Sequence, residues 1–227
     1  MEFRLTDTQR ELQEAARKFA RAELSDLARE LEEKASPVPD AMRKRYAEMG
    51  FLGVNLPEQY GGLGLGHLEA LLVLEQFAMI SVAVAFPVFE SATGPVRTVE
   101  HFASDKLKAR ILPEVIKGEK IVAVSMSEPA AGTALTDLKT AARYDGDEIV
   151  LTGQKRWCSG GGHSDYYIVY CRFDDEPGAK GIGAVLVEKE REGISFGRPE
   201  SLMGFRGIPS ADIYLDEVRV SKDNLIV

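Results

Sequence analysis

The sequence has 227 residues, 44% hydrophobic and 28% charged, an ordinary globular mixture that excludes a wholly disordered chain. Its 28 Lys and Arg against 36 Asp and Glu leave a net charge of −8, which argues against a nucleic-acid partner, because such binders carry a basic patch. The longest uncharged run, Gln76 to Phe89, is too short for a membrane span, which takes roughly 20 apolar residues.

In chain order, the first twenty residues lack a continuous apolar stretch and read as neither a secretory signal nor a spanning helix. Thr6 and Gln9 have the spacing of a capping box. Behind them Leu12, Ala16, Ala20, Leu24, Leu27 and Leu31 recur in steps of three or four, which predicts one long amphipathic helix stopped by Ser36-Pro37-Val38-Pro39. A shorter helix is predicted from Pro39 to Met49, with Gly50 as its C-terminal cap. Residues 50–66 hold six glycines and predict a loop with demanding backbone angles. An apolar helix over 67–80 and a second apolar stretch over 82–89 follow, and their continuous hydrophobicity predicts burial among other helices. Helical pattern continues to Leu112, where Pro113 is expected to interrupt it.

From Lys120 the period changes. Residues 121–127, 138–144, 148–158, 165–173, 182–188 and 211–220 are short and β-rich, separated by turn residues such as Asp145-Gly146-Asp147, Glu176-Pro177-Gly178 and Glu192-Gly193. Six strands at this spacing suggest an antiparallel sandwich or barrel. The fold class is therefore α+β: an N-terminal all-α helical domain over residues 1–118, then a mostly antiparallel β-barrel or sandwich domain over 119–227.

Several common chemistries fail on spacing. Gly62-Leu63-Gly64-Leu65-Gly66 does not match a dinucleotide fingerprint, and no phosphate-loop or Gly-x-Ser-x-Gly motif is present. His67, His101 and His163 are scattered, so no metal site is expected. Cys158 and Cys171 fit neither a disulfide framework nor a metal spacing, and reduced thiols of a cytoplasmic protein are the plain reading.

Three segments stand out. Ser125-Met126-Ser127-Glu128-Pro129-Ala130-Ala131-Gly132-Thr133 follows a strand and offers hydroxyls and backbone N–H groups to an acceptor-rich ligand, such as a phosphate or the pyrimidine edge of a flavin. It also reads as an ordinary hairpin loop. Lys155-Arg156-Trp157-Cys158-Ser159-Gly160-Gly161-Gly162 sets the single Trp beside a hydroxyl and three glycines. That indole suits either a planar cofactor or the core. Met203-Gly204-Phe205-Arg206-Gly207-Ile208-Pro209-Ser210 carries one Arg, which alone reads as a surface ion pair.

Together, in this order and behind a helical half, these segments resemble the acyl-CoA dehydrogenase family of flavoproteins. The first matches its Thr/Ser-Glu-Pro-x-Ala-Gly-Ser/Thr loop, the second its Gly-x-Lys-x-Trp-Ile-Thr/Ser-x-Gly strand end, and the third its Gly-x-Arg-x-Ser/Thr stretch. Val220-Ser221-Lys222-Asp223-Asn224-Leu225 and Asn55-Leu56-Pro57-Glu58-Gln59-Tyr60-Gly61-Gly62 are also similar to family stretches.

The resemblance implies FAD on the β-domain surface. By position, Val124, Met126, Ser127, Gly132 and Thr133 would line the flavin and its pyrophosphate, Trp157 and Cys158 would lie beside the ring system, and Ser159 would reach flavin N5. Thr133 and Arg206 are the substrate-binding candidates. The implied reaction is α,β-dehydrogenation of an acyl-CoA thioester, with hydride transfer to N5 and onward electron delivery to an electron-transferring flavoprotein. The chain departs from the family where it stops: the catalytic carboxylate is expected in a C-terminal helical domain that this sequence does not contain, so no base is nominated. The sequence is expected to be a fragment, or a subunit completed by another chain, in a homotetramer, a homodimer or a hetero-oligomer. The weighed alternatives are an acyl-CoA oxidase or nitroalkane oxidase relative, and a non-catalytic subunit. Met79, Phe86 and Phe89 are read either as acyl-pocket lining or as helix core. Apolar surface is expected where the further domain would pack.

Overall fold

A computed structural model describes residues 4–174 and 176–227. The chain forms two compact units. The first runs to Arg97 and adds Leu112–Glu119 and Leu202–Ile208; the second comprises Thr98–Ile111, Lys120–Ser201 and Pro209–Val227.

The first unit is helical. Helix α1 (Asp7–Phe19) starts on the capping box: Gln9 N–H donates to Thr6 Oγ1 at 3.2 Å and Thr6 N–H to Gln9 Oε1 at 2.9 Å. The expected single helix is instead α1 and α2 (Ser25–Lys34) joined by a π-helical turn, Ala20–Leu24. It stops at Ala35, which adopts a left-handed conformation with φ of 49°. Helix α3 (Asp40–Glu48) follows, then a glycine loop, α4 (His67–Ala78), α5 (Val82–Val88) and a second π-helical turn at Phe89–Thr93. In the loop Gly62 is required by a close approach, since a Cβ there would lie 2.1 Å from the Leu56 carbonyl oxygen.

An aromatic cluster fills this core. Phe19, Tyr46, Phe51 and Phe77 are buried with ring centroids 5.1–5.7 Å apart. The Tyr46 hydroxyl donates to the Val84 carbonyl at 3.0 Å, so the buried polar tip is satisfied. Helix α4 does not bury its whole circumference: Leu68, Leu71 and Met79 beyond its end are 44–67% exposed, and Val82 and Phe89 are exposed too. Phe86 is only half-buried, so none of Met79, Phe86 and Phe89 is a buried core residue.

Helices α6 (Pro95–Phe102) and α7 (Asp105–Ile116) complete the helical elements. Pro113 does not interrupt the helix as expected. It forfeits one hydrogen bond, to the carbonyl four residues back. Ile111, Leu112 and Val115 around it are all buried, and Lys117 N–H closes the last turn on the Pro113 carbonyl at 3.1 Å. No helix among the described residues is long and apolar enough to cross a membrane.

The second unit is built on a curled mixed sheet. Its strands are β1 (Val122–Ser125), β2 (Ala141–Asp145), β3 (Glu148–Ser159), β4 (Tyr166–Phe173), β5 (Ile182–Glu188), β6 (Ile194–Phe196) and β7 (Ser210–Ser221). The order is β1-β4-β2-β3-β7-β6, with β5 on the other side of β4. The mostly antiparallel sheet that the sequence predicts is found, with two parallel pairings in it: β1 runs parallel to β4, Val122 opposite Tyr166 and Ser125 opposite Val169, and β2 meets the end of β4 in the same sense. The remaining pairings are antiparallel. Strand β6 was not expected; three residues carry too little alternation to register as a strand. The buried face holds Ile149, Leu151, Val169, Val185, Val187, Ile213, Leu215, Val218 and Val220.

Candidate cofactor site

The site begins with a bulge in β3. Lys155 pairs with Ile213 of β7 and Cys158 with Ala211, so β3 spends one more residue than its partner across this step. Strict alternation from Lys155, which faces inward, would turn Trp157 inward and Cys158 outward. The extra residue reverses the phase. Cys158 turns into the core, its Sγ 3.1 Å from Ser125 Oγ and 3.3 Å from the Val124 carbonyl oxygen. Trp157 turns out, 61% exposed, with φ of 55°. The indole is therefore not a core residue, and Cys158 has only its main chain to offer outward.

Asp212 fixes the bulge. Its carboxylate accepts Trp157 N–H at 3.2 Å and the Gln154 side-chain amide at 3.1 Å. The Arg156 guanidinium lies over the indole, 4.9 Å from a ring centroid. Beyond Ser159, which is half-buried, Gly160 takes φ of 84°, and a Cβ there would sit 2.1 Å from Ser164 Oγ.

The loop after β1 is tied to this strand from the inside. Lys155 is fully buried, and its Nζ donates to Glu128 Oε1 at 2.8 Å and to the Met126 carbonyl at 3.1 Å. Arg156 N–H donates to the Ser127 carbonyl at 2.8 Å. The Glu128 carboxylate also accepts Lys139 N–H at 2.6 Å and Thr140 N–H at 2.8 Å. Burial alone would push the Glu128 carboxyl up; the Lys155 ammonium, Thr140 and the backbone N–H groups of Lys139 and Thr140 overcome this and hold it below the ordinary carboxylate value. Burial pulls the Lys155 ammonium down, and Glu128 opposes that pull.

Val124, Met126 and Ser127 are half-buried, and Gly132 and Thr133 are exposed. Among the described residues, the Ser127 and Thr133 hydroxyls and the N–H groups of Gly132 and Thr133 have no hydrogen-bond partner. A Cβ on Gly132 would meet nothing within 4 Å. The loop thus ties the Met126, Ser127, Glu128 and Ala131 carbonyls and leaves the Gly132 and Thr133 N–H groups and the two hydroxyls untied, a donor set that suits phosphate oxygens or the acceptor edge of a heteroaromatic ring. Val124 through Ser159 lie in the second unit. Arg206 lies in the first, its guanidinium 3.5 Å from Glu32 and bonded to the Leu202 and Met203 carbonyls at 3.3 and 3.4 Å.

Sequence reasoning quoted Lys155 and Glu128 inside their motifs without a link between them, and it missed Asp212. Glu128 carried one signal, an acid in a turn after a strand; nothing local marks its partner as a lysine 27 residues on.

Two family profiles match the chain: acyl-CoA dehydrogenase, N-terminal domain, over residues 6–119, and acyl-CoA dehydrogenase, middle domain, over residues 123–218. A 3-(aryl)acrylate reductase of Clostridium sporogenes is 34% identical over 95% of this chain and 57% of its own length. A cyclohex-1-ene-1-carbonyl-CoA dehydrogenase of Geobacter metallireducens is 35% identical over 98% of this chain and 58% of its own. A solved glutaryl-CoA dehydrogenase complex with glutaryl-CoA superposes with a TM-score of 0.94 at 29% identity, covering 100% of this chain and 58% of that one. The chain therefore spans little more than half the length of the proteins it matches.

Proposed function

Because the chain belongs to the acyl-CoA dehydrogenase family, we propose that it is the FAD- and acyl-CoA-binding portion of a flavoprotein that dehydrogenates an acyl-CoA thioester between Cα and Cβ. In this reading residues 1–118 and 119–227 are its helical and middle domains. FAD, when bound, accepts hydride from the substrate β-carbon.

The chain's own residues bind, orient and exclude water. The Ser127 hydroxyl and the loop around it donate to the pyrimidine edge, with Val124 and Met126 forming the wall behind. Gly132 and Thr133 present their N–H groups to the pyrophosphate, which an α-carbon without a side chain lets approach closely. Trp157 covers one face of the ring system, the Cys158 main chain continues the wall, and the Ser159 hydroxyl donates beside the reacting ring nitrogen. Thr133 contacts the substrate, and Arg206, in the other unit, is the second substrate-binding candidate.

The proton acceptor for the α-carbon is assigned to no residue of this chain. A further segment, in the same polypeptide or another, supplies it. The assembly is proposed to be a cytoplasmic oligomer, a homotetramer in the full form, acting in fatty acid metabolism and passing electrons to an electron-transferring flavoprotein. A relative named as a reductase favours a second reading, the same residues serving hydride transfer in the opposite direction.

One observation carries the proposal: the outward-turned Trp157 stands beside a loop whose Met126 and Ser127 carbonyls are tied to β3 and whose Gly132 and Thr133 N–H groups are free. Trp157 is also the only tryptophan, so its emission reports the site directly. Titration with FAD is expected to quench that emission saturably and to shield it from acrylamide. A folded chain whose emission ignores FAD would sink the reading. Rapid reoxidation of the reduced protein by oxygen would move it to the oxidase relatives.

A further inference from the structure

We propose that Lys155 and Glu128 are positioning residues for the cofactor, a buried pair that closes the neck of the 128–140 loop and thereby aims its donors outward; this rests on the flavin reading above.

The loop leaves the sheet after β1 and returns at β2 without regular structure beyond a single helical turn at Leu135–Asp137. Its shape therefore comes from ties, and they converge. Glu128 N–H and the Ala131 carbonyl bond at 2.8 Å, and Ala131 N–H returns to the Glu128 carbonyl at 3.2 Å, closing a tight turn at the outgoing end. The Glu128 carboxylate then takes the N–H groups of Lys139 and Thr140, where the loop comes back. One carboxylate thus spans both ends of the excursion. Arg172 adds a second hold on the returning limb, donating to the Leu138 carbonyl at 3.2 Å and the Thr136 carbonyl at 2.6 Å.

A carboxylate that is 7% exposed needs a countercharge. Lys155 supplies it, and its second bond, to the Met126 carbonyl, ties the residue before Ser127. Two further features follow Lys155 on the same strand: its neighbour Arg156 holds the Ser127 carbonyl, and the bulge beyond turns Trp157 outward. The loop and the indole are thus set by consecutive residues of β3. Neither Lys155 nor Glu128 faces outward, since Lys155 is fully buried, so they act on the cofactor only through Ser127, Gly132 and Thr133.

The test uses the whole chain and FAD, with Lys155→Met, Glu128→Gln and the double variant. The double variant removes both charges, so it leaves no unpaired ion to unfold the unit. Two measurements are made: FAD affinity by Trp157 quenching, and amide hydrogen exchange without FAD. Lys155→Met and the double variant are expected to weaken FAD at least tenfold and to speed exchange of the bonded Glu128, Ala131, Lys139 and Thr140 amides at least tenfold. Amides of β5 and β7 should keep wild-type protection, which a merely structural role would not allow. If wild type binds FAD and the folded variants bind it equally well, or if loop and sheet amides loosen alike, the positioning role is overturned and the flavin reading stands. If wild type shows no saturable FAD binding, the flavin reading falls and takes the positioning role with it.

Discussion

Glu90 and Glu128 are the same residue type with opposite fates. Glu90 ends the uncharged run that opens at Gln76 and is buried in the π-helical turn after α5. Burial pushes its carboxyl up to about 8, with Arg43 pulling the other way. A folded-state value above the unfolded one means that the folded chain holds extra proton between them, so this residue's contribution to stability falls as pH rises from 4.5 to about 8. Glu90→Gln removes that cost. It is expected to leave stability unchanged near pH 4.5 and to raise it by on the order of a few kcal/mol at pH 8 and above. Urea unfolding of both proteins at pH 5 and pH 8.5 measures this, and a gain equal at the two pH values would contradict it. Glu128 escapes the same cost because Lys155 and two backbone N–H groups meet it. Neither environment was legible in the sequence, since burial of one acid and pairing of the other depend on residues far along the chain. What was legible is the pair of segments that hold Ser127, Thr133, Trp157 and Ser159.

At the scale of elements, signals carried within a few residues read out well. The capping box at Thr6 and Gln9 forms as spaced, and all six β-rich segments begin or end within a few residues of strands found there. Signals that depend on partners did not. The parallel β1–β4 pairing joins segments separated by two intervening strands, and turn residues report only hairpins. The bulge in β3 reverses which residues face out, and nothing in the alternation announces it. The end of α2 shows a local mismatch that can be tested. Ala35 is exposed and holds the left-handed conformation that glycine takes without a Cβ penalty. Ala35→Gly is expected to stabilise the chain by roughly 1 kcal/mol, read as a higher urea midpoint with an unchanged slope. A lower midpoint would mean that the greater chain entropy glycine gives the unfolded state outweighs the relieved strain.

At the scale of the whole chain, a balance of −8 argued against a nucleic-acid partner, no helix among the described residues is long and apolar enough to cross a membrane, and motif order led to the family. The division into units was less legible, because residues 98–111 and 202–208 group with the unit opposite to that of their sequence neighbours. Apolar side chains left exposed on α4, the opposite of the burial its hydrophobic run predicts, follow from geometry: a helix apolar all round can bury only the faces that meet a neighbour. The two cysteines give this architecture a further use. Cys158 and Cys171 are buried in β3 and β4, both in the second unit, and burial pushes the Cys171 thiol up to about 12. A thiol reagent is therefore a clock wired to one half of the chain. It should find no fast-reacting sulfur in the folded protein and two per chain in denaturant. Labelling that starts before the sheet's circular-dichroism signal fades would time a local opening of β3 or β4, and whatever the helices do meanwhile would pass unrecorded.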